Sequence, residues 1–539
     1  MAGYRTHDLA TDFHSPVAEG WLESLPQDII DDIVSYLLPD GFKPEEPCDK
    51  RKKPSPPLAP LATVSRRLRA AVERLTFKYI EINSETLEDF ERIFTAERRP
   101  LLKILTFTAI LPSYDEAASM RAETPTERAA NDESYSRSVQ ALFRILHSWE
   151  VEDPKINDSR MILVINHPES PSDSSWPLKL SQTQYNYETR YFHSYIEFLH
   201  LDKLAVLHRV KGLVMVEPGE RYGYRNVCPK IPILLASHMP NLESIRVTMD
   251  DNEERFPDLR KRNRDEAAQA IRELSLPKLT RAYLTFFHRK YRDETASPPV
   301  LHPPGPDPLS SAICQLSLNL VDLEVSGILD ISLLQPLQGL NDTSWPSLKY
   351  LFIEIQATAP SGAWYFTGRD WTPSSAATQI NNFPTSQYTL STLHEEELNF
   401  SREMEYAHLS PYHAFRNRVN EETFVPFIEA YADALFVMPK LRSASLNCEL
   451  VAEPDGDDDE GFGWFNISFF APCSSAQKHP PKTTCPKCGR AATRQLITRY
   501  LGWVPSEKLA AKLRSIQDTF SKEPMVEKDM DAFMMEHED

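Results

Sequence analysis

Cys473, His479, Cys485 and Cys488 are the residues of this chain best placed by type and spacing to do chemistry, in a C-x5-H-x5-C-x2-C arrangement. A C-x2-C turn lets two thiolates reach one ion, and three thiolates with an imidazole would close a tetrahedral zinc site. Four protein ligands leave no open coordination position, so such a zinc would be structural. The first pair is unusually spaced, and free surface thiols are the alternative reading. No other cofactor is implied.

Other chemistry is hard to find. There is no Gly-rich phosphate loop, no G-x-S-x-G elbow and no H-E-x-x-H. The HEEEL run at 394–398 lacks a second histidine. The PDGDDDEG run at 454–461 lacks the 12-residue loop and terminal glutamate of a calcium site and reads as a solvated loop. No pair of titratable residues nominates itself as catalytic, and the expectation is a protein that is not an enzyme. A long insertion at 357–420 carries Trp364, Tyr365, Phe366 and Trp371; it reads as a binding surface or, equally, as a buried cap or disordered flap.

The chain around these residues has 539 positions, too many for one ordinary core, with 41% hydrophobic and 10% aromatic residues. Glycine is scarce at 16 and proline plentiful at 43, so the chain has many breaks but few positions that demand positive φ. The net charge of −19 and the lack of a long basic face argue against nucleic acid as a partner. Seven cysteines, an odd and sparse set, favour a reducing intracellular compartment over a disulfide scaffold. No apolar run approaches the ~18–20 residues that span a membrane, and the N-terminus lacks the apolar core of a secretory signal. Lys50 to Lys53 (KRKK) reads as a solvated loop or a nuclear localisation signal, so the expected location is cytoplasmic, nuclear or both.

The N-terminal elements are the most specific. SLPQDIIDDIVSYLL, residues 24–38, has Ser24 and Gln27 at capping-box spacing, Pro26 in the first turn, and Ile29, Ile30, Ile33, Val34 and Leu37 at helical spacing. A charged, Pro-rich insertion at 39–57 follows. In LAPLATVSRRLRAAVERLTF, Leu58 and Leu61 make an apolar turn, and Ser65 caps a second helix striped by Val64, Leu68, Val72 and Leu75. LPQDIIDDIVSYL followed by LAPLATVSRRLRAAV resembles an F-box, matching at Leu25, Pro26, Asp28, Ile29, Ile30, Ile33, Leu37, Leu58, Leu61, Val64, Ser65 and Leu68. The insertion is longer than that family's usual turn, and Leu68 stands where many members have Trp. The resemblance covers about 50 residues. It implies docking on a Skp-family adaptor, and through it a cullin ubiquitin ligase, by Leu25, Pro26, Ile29, Ile30, Ile33, Leu37, Leu61, Val64 and Leu68. It also implies an unidentified target protein as second partner. Packing of the same stripe on the rest of the chain, or a non-ligase scaffold that keeps the module, are the alternatives.

Beyond the module one pattern recurs: Pro-x-Leu, two residues, then alternating apolar positions. Copies carry Pro100/Leu102/Leu105/Phe107, Pro240/Leu242/Ile245/Val247, Pro277/Leu279/Ala282/Leu284, Pro346/Leu348/Leu351/Ile353 and Pro439/Leu441/Ala444/Leu446, and Leu320/Leu323/Val325 lacks the proline. Proline ends a preceding helix and the alternation is a strand with one face inward. Helix, Pro-x-Leu, strand, repeated, resembles the degenerate leucine-rich repeats behind fungal F-boxes. Spacings of 37, 41 and 28 residues between Leu242, Leu279, Leu320 and Leu348 demand insertions; independent α/β strands are the other reading. The expected architecture is α/β: residues 1–20 disordered, a three-helix module at 21–80 with its inserted loop at 39–57, an irregular leucine-rich-repeat-like βα solenoid at 81–505, and a C-terminal helix and acidic tail at 506–539. Residues 112–134, 168–189 and 292–309 read as loops.

Overall fold

The computed structural model describes residues 25–37, 58–119, 121–173, 190–191, 194–216, 225–253, 256–288, 294, 297–337, 339, 344–368, 416–451, 462–472, 493–517 and 525–530. The chain forms two compact units, Met1–Glu81 with Phe94–Leu105, and Ile82–Ile93 with Thr106–Asp539. The first unit contains α1 (Gln27–Ser35), a 3-10 turn (Ala59–Thr63) and α2 (Arg66–Thr76). The dividing line runs through β1 (Tyr79–Asn83) and β2 (Ile104–Thr108).

The second unit is mixed α/β on a large, mostly parallel sheet. β3 (Met161–Ile165), β4 (Val210–Met215), β5 (Ser244–Asp250), β6 (Arg281–Phe287), β7 (Asp322–Gly327) and β8 (Tyr350–Ile355) stand side by side in chain order, all parallel. β11 (Ser443–Val451) adds in parallel to β8; β12 (Phe462–Phe470) and β13 (Arg494–Arg499) follow antiparallel, and β14 (Met525–Asp529) is parallel to β13. The helices are α3 (Leu87–Ile93), α4 (Glu116–Ser119), α5 (Pro125–Glu152), α6 (Ile231–Ser237), α7 (Pro257–Glu273), α8 (Pro308–Ser317), α9 (Val425–Phe436) and α10 (Glu507–Arg514). Parallel crossovers are right-handed, so strands added always in the same direction return their connections over one face of the sheet.

The recurrent motif accounts for this order. Its copies lead into β2, β5, β6, β7, β8 and β11. In the sheet Ile245, Ala282, Leu323, Leu351 and Ala444 form one cross-strand row, and Val247, Leu284, Val325, Ile353 and Leu446 the next. All ten are buried. The Leu of each copy closes the turn: the N–H groups of Leu242, Leu279 and Leu320 donate to the carbonyls of Met239, Leu276 and Ser317 at 3.0, 3.1 and 3.0 Å. The next residue reaches the preceding copy, as Glu243 N–H does to Lys211 and Lys349 N–H to Val321, both at 2.8 Å. Each turn thus has its backbone groups satisfied by the neighbouring copy. Residues of opposite parity, such as Arg246, Tyr283, Glu324, Phe352 and Ser445, are half-buried or exposed, so the other face of these strands meets solvent.

Helix packing closes the buried side. α7 lies against α8 and α6. Trp345, fully buried before β8, donates its indole N–H to Ser317 Oγ at 2.7 Å, tying the turn to α8. Tyr431 of α9 donates to the Ile467 carbonyl at 3.3 Å.

Several local expectations change. Residues 125–134 are not loop but the first turns of α5, which starts in a capping box between Thr124 and Glu127. At the base of the 357–420 insertion, β9 (Phe366–Gly368) pairs antiparallel with β10 (Arg416–Val419). There Tyr365 and Phe366 are buried and stack on Phe424, which also meets Phe465. Tyr365 and Phe366 are thus core, while most of β10 is exposed or half-buried; Trp371 lies outside the described residues. Met525–Asp529, within the expected tail, is a strand of the main sheet.

Candidate functional site

The first unit is a small helical module whose core is Ile30, Val34, Leu58, Leu68, Ala71 and Val72, with Leu25, Leu37, Leu61, Ala62 and Leu75 packed against it. Ser65 caps α2 by accepting the Leu68 N–H at 3.1 Å, which aligns Leu68, Ala71 and Val72 along the inward stripe. α1 has Pro26 as its N-cap with no side-chain cap. Ser24 lies outside the described residues. Gln27, expected to complete a capping box, instead donates to Asp31 Oδ1 at 2.9 Å and to the Arg67 carbonyl at 3.1 Å. The Arg67 guanidinium donates to the Leu25 carbonyl just before α1 and Arg74 pairs with Asp31 at its middle, so two arginines of α2 hold α1 at two points.

The apolar band of α1 therefore divides in two. Ile30 and Val34 point into the module's own core at 1% and 0% exposure. Ile29, Ile33 and Tyr36, at i, i+4 and i+7, remain 42%, 40% and 86% exposed, and Val64 beside the 3-10 turn is 66% exposed. Of the nine residues expected to dock an adaptor, Ile29, Ile33, Val64 and Pro26 present themselves to solvent; Leu25, Leu37 and Leu61 are half-buried; Ile30 and Leu68 hold the module together. Tyr36 was not anticipated, although its i+7 spacing from Ile29 marks it.

Cys473, His479, Cys485 and Cys488 lie outside the described residues. A different set of potential metal ligands, Glu197, Cys228 and Glu266, comes together with donor atoms within 4.8 Å of one another. The Lys230 ammonium already bridges the two carboxylates, at 3.0 Å from Glu197 and 2.8 Å from Glu266. Burial, reinforced by Glu197, pushes the Cys228 thiol up to about 12, so it is a neutral thiol and not a thiolate at neutral pH. The cluster works as an ion-pair node around Lys230. Its members are 31 and 38 residues apart, and nothing in their local sequence pointed to it.

Two further polar networks are interior. Glu123 and Arg225, both with fully buried side chains, pair at 2.7 Å. Asn131 and Ser194 donate to the remaining Glu123 lone pairs. Nearby, Arg190 stacks on the Tyr114 ring at 3.9 Å, and the Tyr114 and Tyr191 hydroxyls both donate to Asp173 Oδ1, at 2.7 and 2.9 Å. Asp251 accepts from Arg260 at 2.9 Å and from Arg264, which also reaches Asp307 at 3.4 Å. Glu123–Arg225 and Arg264–Asp307 join segments distant in sequence, Asp251 ties the end of β5 to the nearby α7, and all have the character of structural ties.

Comparison of the sequence with protein-family models and with curated proteins gives no match in either. Among the described residues no helix is long and apolar enough to cross a membrane.

Proposed function

We propose that this chain is the substrate-recognition subunit of a Skp–cullin–F-box type ubiquitin ligase. Its helical module docks on a Skp-family adaptor, and its sheet unit, read as an irregular leucine-rich-repeat-like array, holds the target. In this reading the chain makes and breaks no covalent bond; it supplies proximity between target and charged ubiquitin carrier. The observation that carries the proposal is the divided apolar band of α1. A module with so small a core still leaves Ile29, Ile33, Tyr36 and Val64 in water, which fits helix-in-groove docking on another protein. The strictly sequential parallel order of β3 to β8 supports the repeat-array part of the reading.

The test is reconstitution of the full chain with a Skp-type adaptor and a cullin. A complex of all three is expected, lost on Ile33→Asp and on Val64→Asp. Failure of the wild-type chain to bind adaptor would overturn the proposal. Adaptor binding without cullin recruitment would indicate the scaffold alternative.

A further inference from the structure

The solvent-facing side of the sheet is not uniform in charge. At the strand starts stand Lys211, Lys278, Arg281, Lys349, Lys440 and Arg442, interrupted by Glu243 and Asp322. They occupy neighbouring positions because the sheet places their strands in order: Arg281 is the cross-strand neighbour of Asp322, Asp322 of Tyr350, and Tyr350 of Ser443. Of the two anions, Glu243 lies 3.8 Å from Arg160, and Asp322 accepts the Tyr283 hydroxyl at 2.8 Å. Arg281, Lys349, Lys440 and Arg442 enter no ion pair among the described residues. Among the described residues the Arg442 guanidinium reaches the Tyr350 hydroxyl, at 3.4 Å, and Tyr350 is itself 40% exposed. Burial, with the neighbouring Lys278, holds the Lys211 ammonium below its ordinary value against the opposing pull of Glu243, Glu150 and Asp158.

Such a concentration of cations stands out on a chain of net charge −19. Further along the strands the same face turns acidic at Glu324 and Glu354. A ligand matching the basic margin must therefore run across the strand starts and not down the strands. Six strands from β4 to β11, spaced ~4.8 Å apart, give a margin of about 24 Å, the length of roughly seven extended residues. Nucleic acid fits less well, because Glu243 and Asp322 interrupt the margin and the rest of the chain repels phosphate.

We propose that this margin binds an extended, carboxylate-rich peptide segment of a partner protein, steered by Arg281, Lys349 and Arg442 and seated against Tyr350. The proposal rests on the receptor reading for its biological role, since it names the class of target. Its surface, however, is measured independently of the adaptor.

The experiment is fluorescence polarisation with the full chain and a labelled octapeptide containing six glutamates. The controls are an octapeptide with six lysines and an oligothymidylate of equal charge. Binding of the acidic peptide is expected to weaken with salt, and to fall at least tenfold in Lys349→Glu/Arg442→Glu and in Arg281→Glu, but not in Lys508→Glu, a surface control on α10. Adaptor binding by the same variants is expected to be unchanged. Equal binding of the two octapeptides, wild-type affinity in both margin variants, or tighter binding of the oligonucleotide would overturn the proposal while leaving adaptor docking standing. Loss of adaptor binding by the wild-type chain would strike the receptor reading and leave the margin intact.

Discussion

Ile30 and Ile33 are one helical turn apart, yet aspartate at each should fail in different ways. Ile33 is 40% exposed, so replacing it removes little of the module's core, about 1 kcal/mol. In a docked complex its exposed part would be covered, a gain of about 1 kcal/mol, and aspartate would add a desolvation penalty of at least ~2 kcal/mol. The sum, about 3 kcal/mol, is a loss of roughly a hundredfold or more in adaptor affinity with the fold kept. Ile33→Ala, lacking the charge, should lose only about fivefold. Ile30 is 1% exposed and touches the inner faces of both helices. Aspartate there forfeits ~2–3 kcal/mol of burial and places a carboxylate in an apolar core, which a module with six buried core residues cannot absorb. Calorimetric titration with adaptor, alongside hydrogen exchange of residues 66–76, separates the cases. Ile33→Asp should keep protection and lose binding; Ile30→Asp should lose both. Wild-type affinity in a folded Ile33→Asp, or full protection in Ile30→Asp, would refute the division of the α1 band into core and docking stripes.

Other expectations concern the second unit. Gly327 has φ of +154° at the end of β7, and a Cβ there would lie 2.9 Å from Phe286 Cβ. Gly327→Ala should therefore cost more than ~2 kcal/mol in urea unfolding, whereas Gly305→Ala, with φ of +142° and nothing within 4 Å, should cost only about 1 kcal/mol of backbone strain. Hydrogen bonding from Arg121, with help from the Thr124 cap, holds the Glu127 carboxyl down at about 2, below its ordinary 4.5. A depressed carboxyl stabilises the fold above its unfolded value and loses that contribution as pH falls. Glu127→Gln should thus cost about 1 kcal/mol of α5 stability at pH 7 and nothing near pH 2, read by hydrogen exchange in the first turns of α5. Asp250 is the opposite case: burial pushes its carboxyl up to about 6, so the folded state holds the proton more tightly than the unfolded one. That contribution is complete below the unfolded value near 3.8 and lost as pH rises through 6. Asp250→Asn should gain up to about 2–3 kcal/mol relative to wild type above pH 6 and little below pH 4, and a flat difference across that range would discount the assignment.

The strands were the most legible part of this protein. Leu242, Ile245 and Val247 alternate with polar residues behind a proline, and the same local rule recurs around Leu279, Leu320, Leu348 and Leu441. The inward positions could be read because a strand's two-residue period assigns each side chain a face before any neighbour is known. The helix starts were legible where a cap is local: Ser65 could be read directly, while Thr124 and Glu127 carried the same signal in a stretch whose polarity suggested a loop. α1 was harder, because Ile29, Ile30, Ile33, Val34 and Leu37 make a band wider than one helix can bury against one neighbour.

What the amino-acid order determined on its own was therefore periodicity: which segments are strands or helices, where proline stops them, and which residues are apolar on one side. What only tertiary structure decided was choice among apolar positions and company among polar ones. The packing of α2, clamped by Arg67 and Arg74, sends Ile30 inward and leaves Ile29 and Ile33 in water. The strand order lines up Arg281, Lys349 and Arg442, and chain reversal brings Lys230 between Glu197 and Glu266. Side-chain periodicity is fixed within a few residues by backbone geometry, whereas electrostatic neighbours tens of residues apart exist only once the backbone has closed on itself.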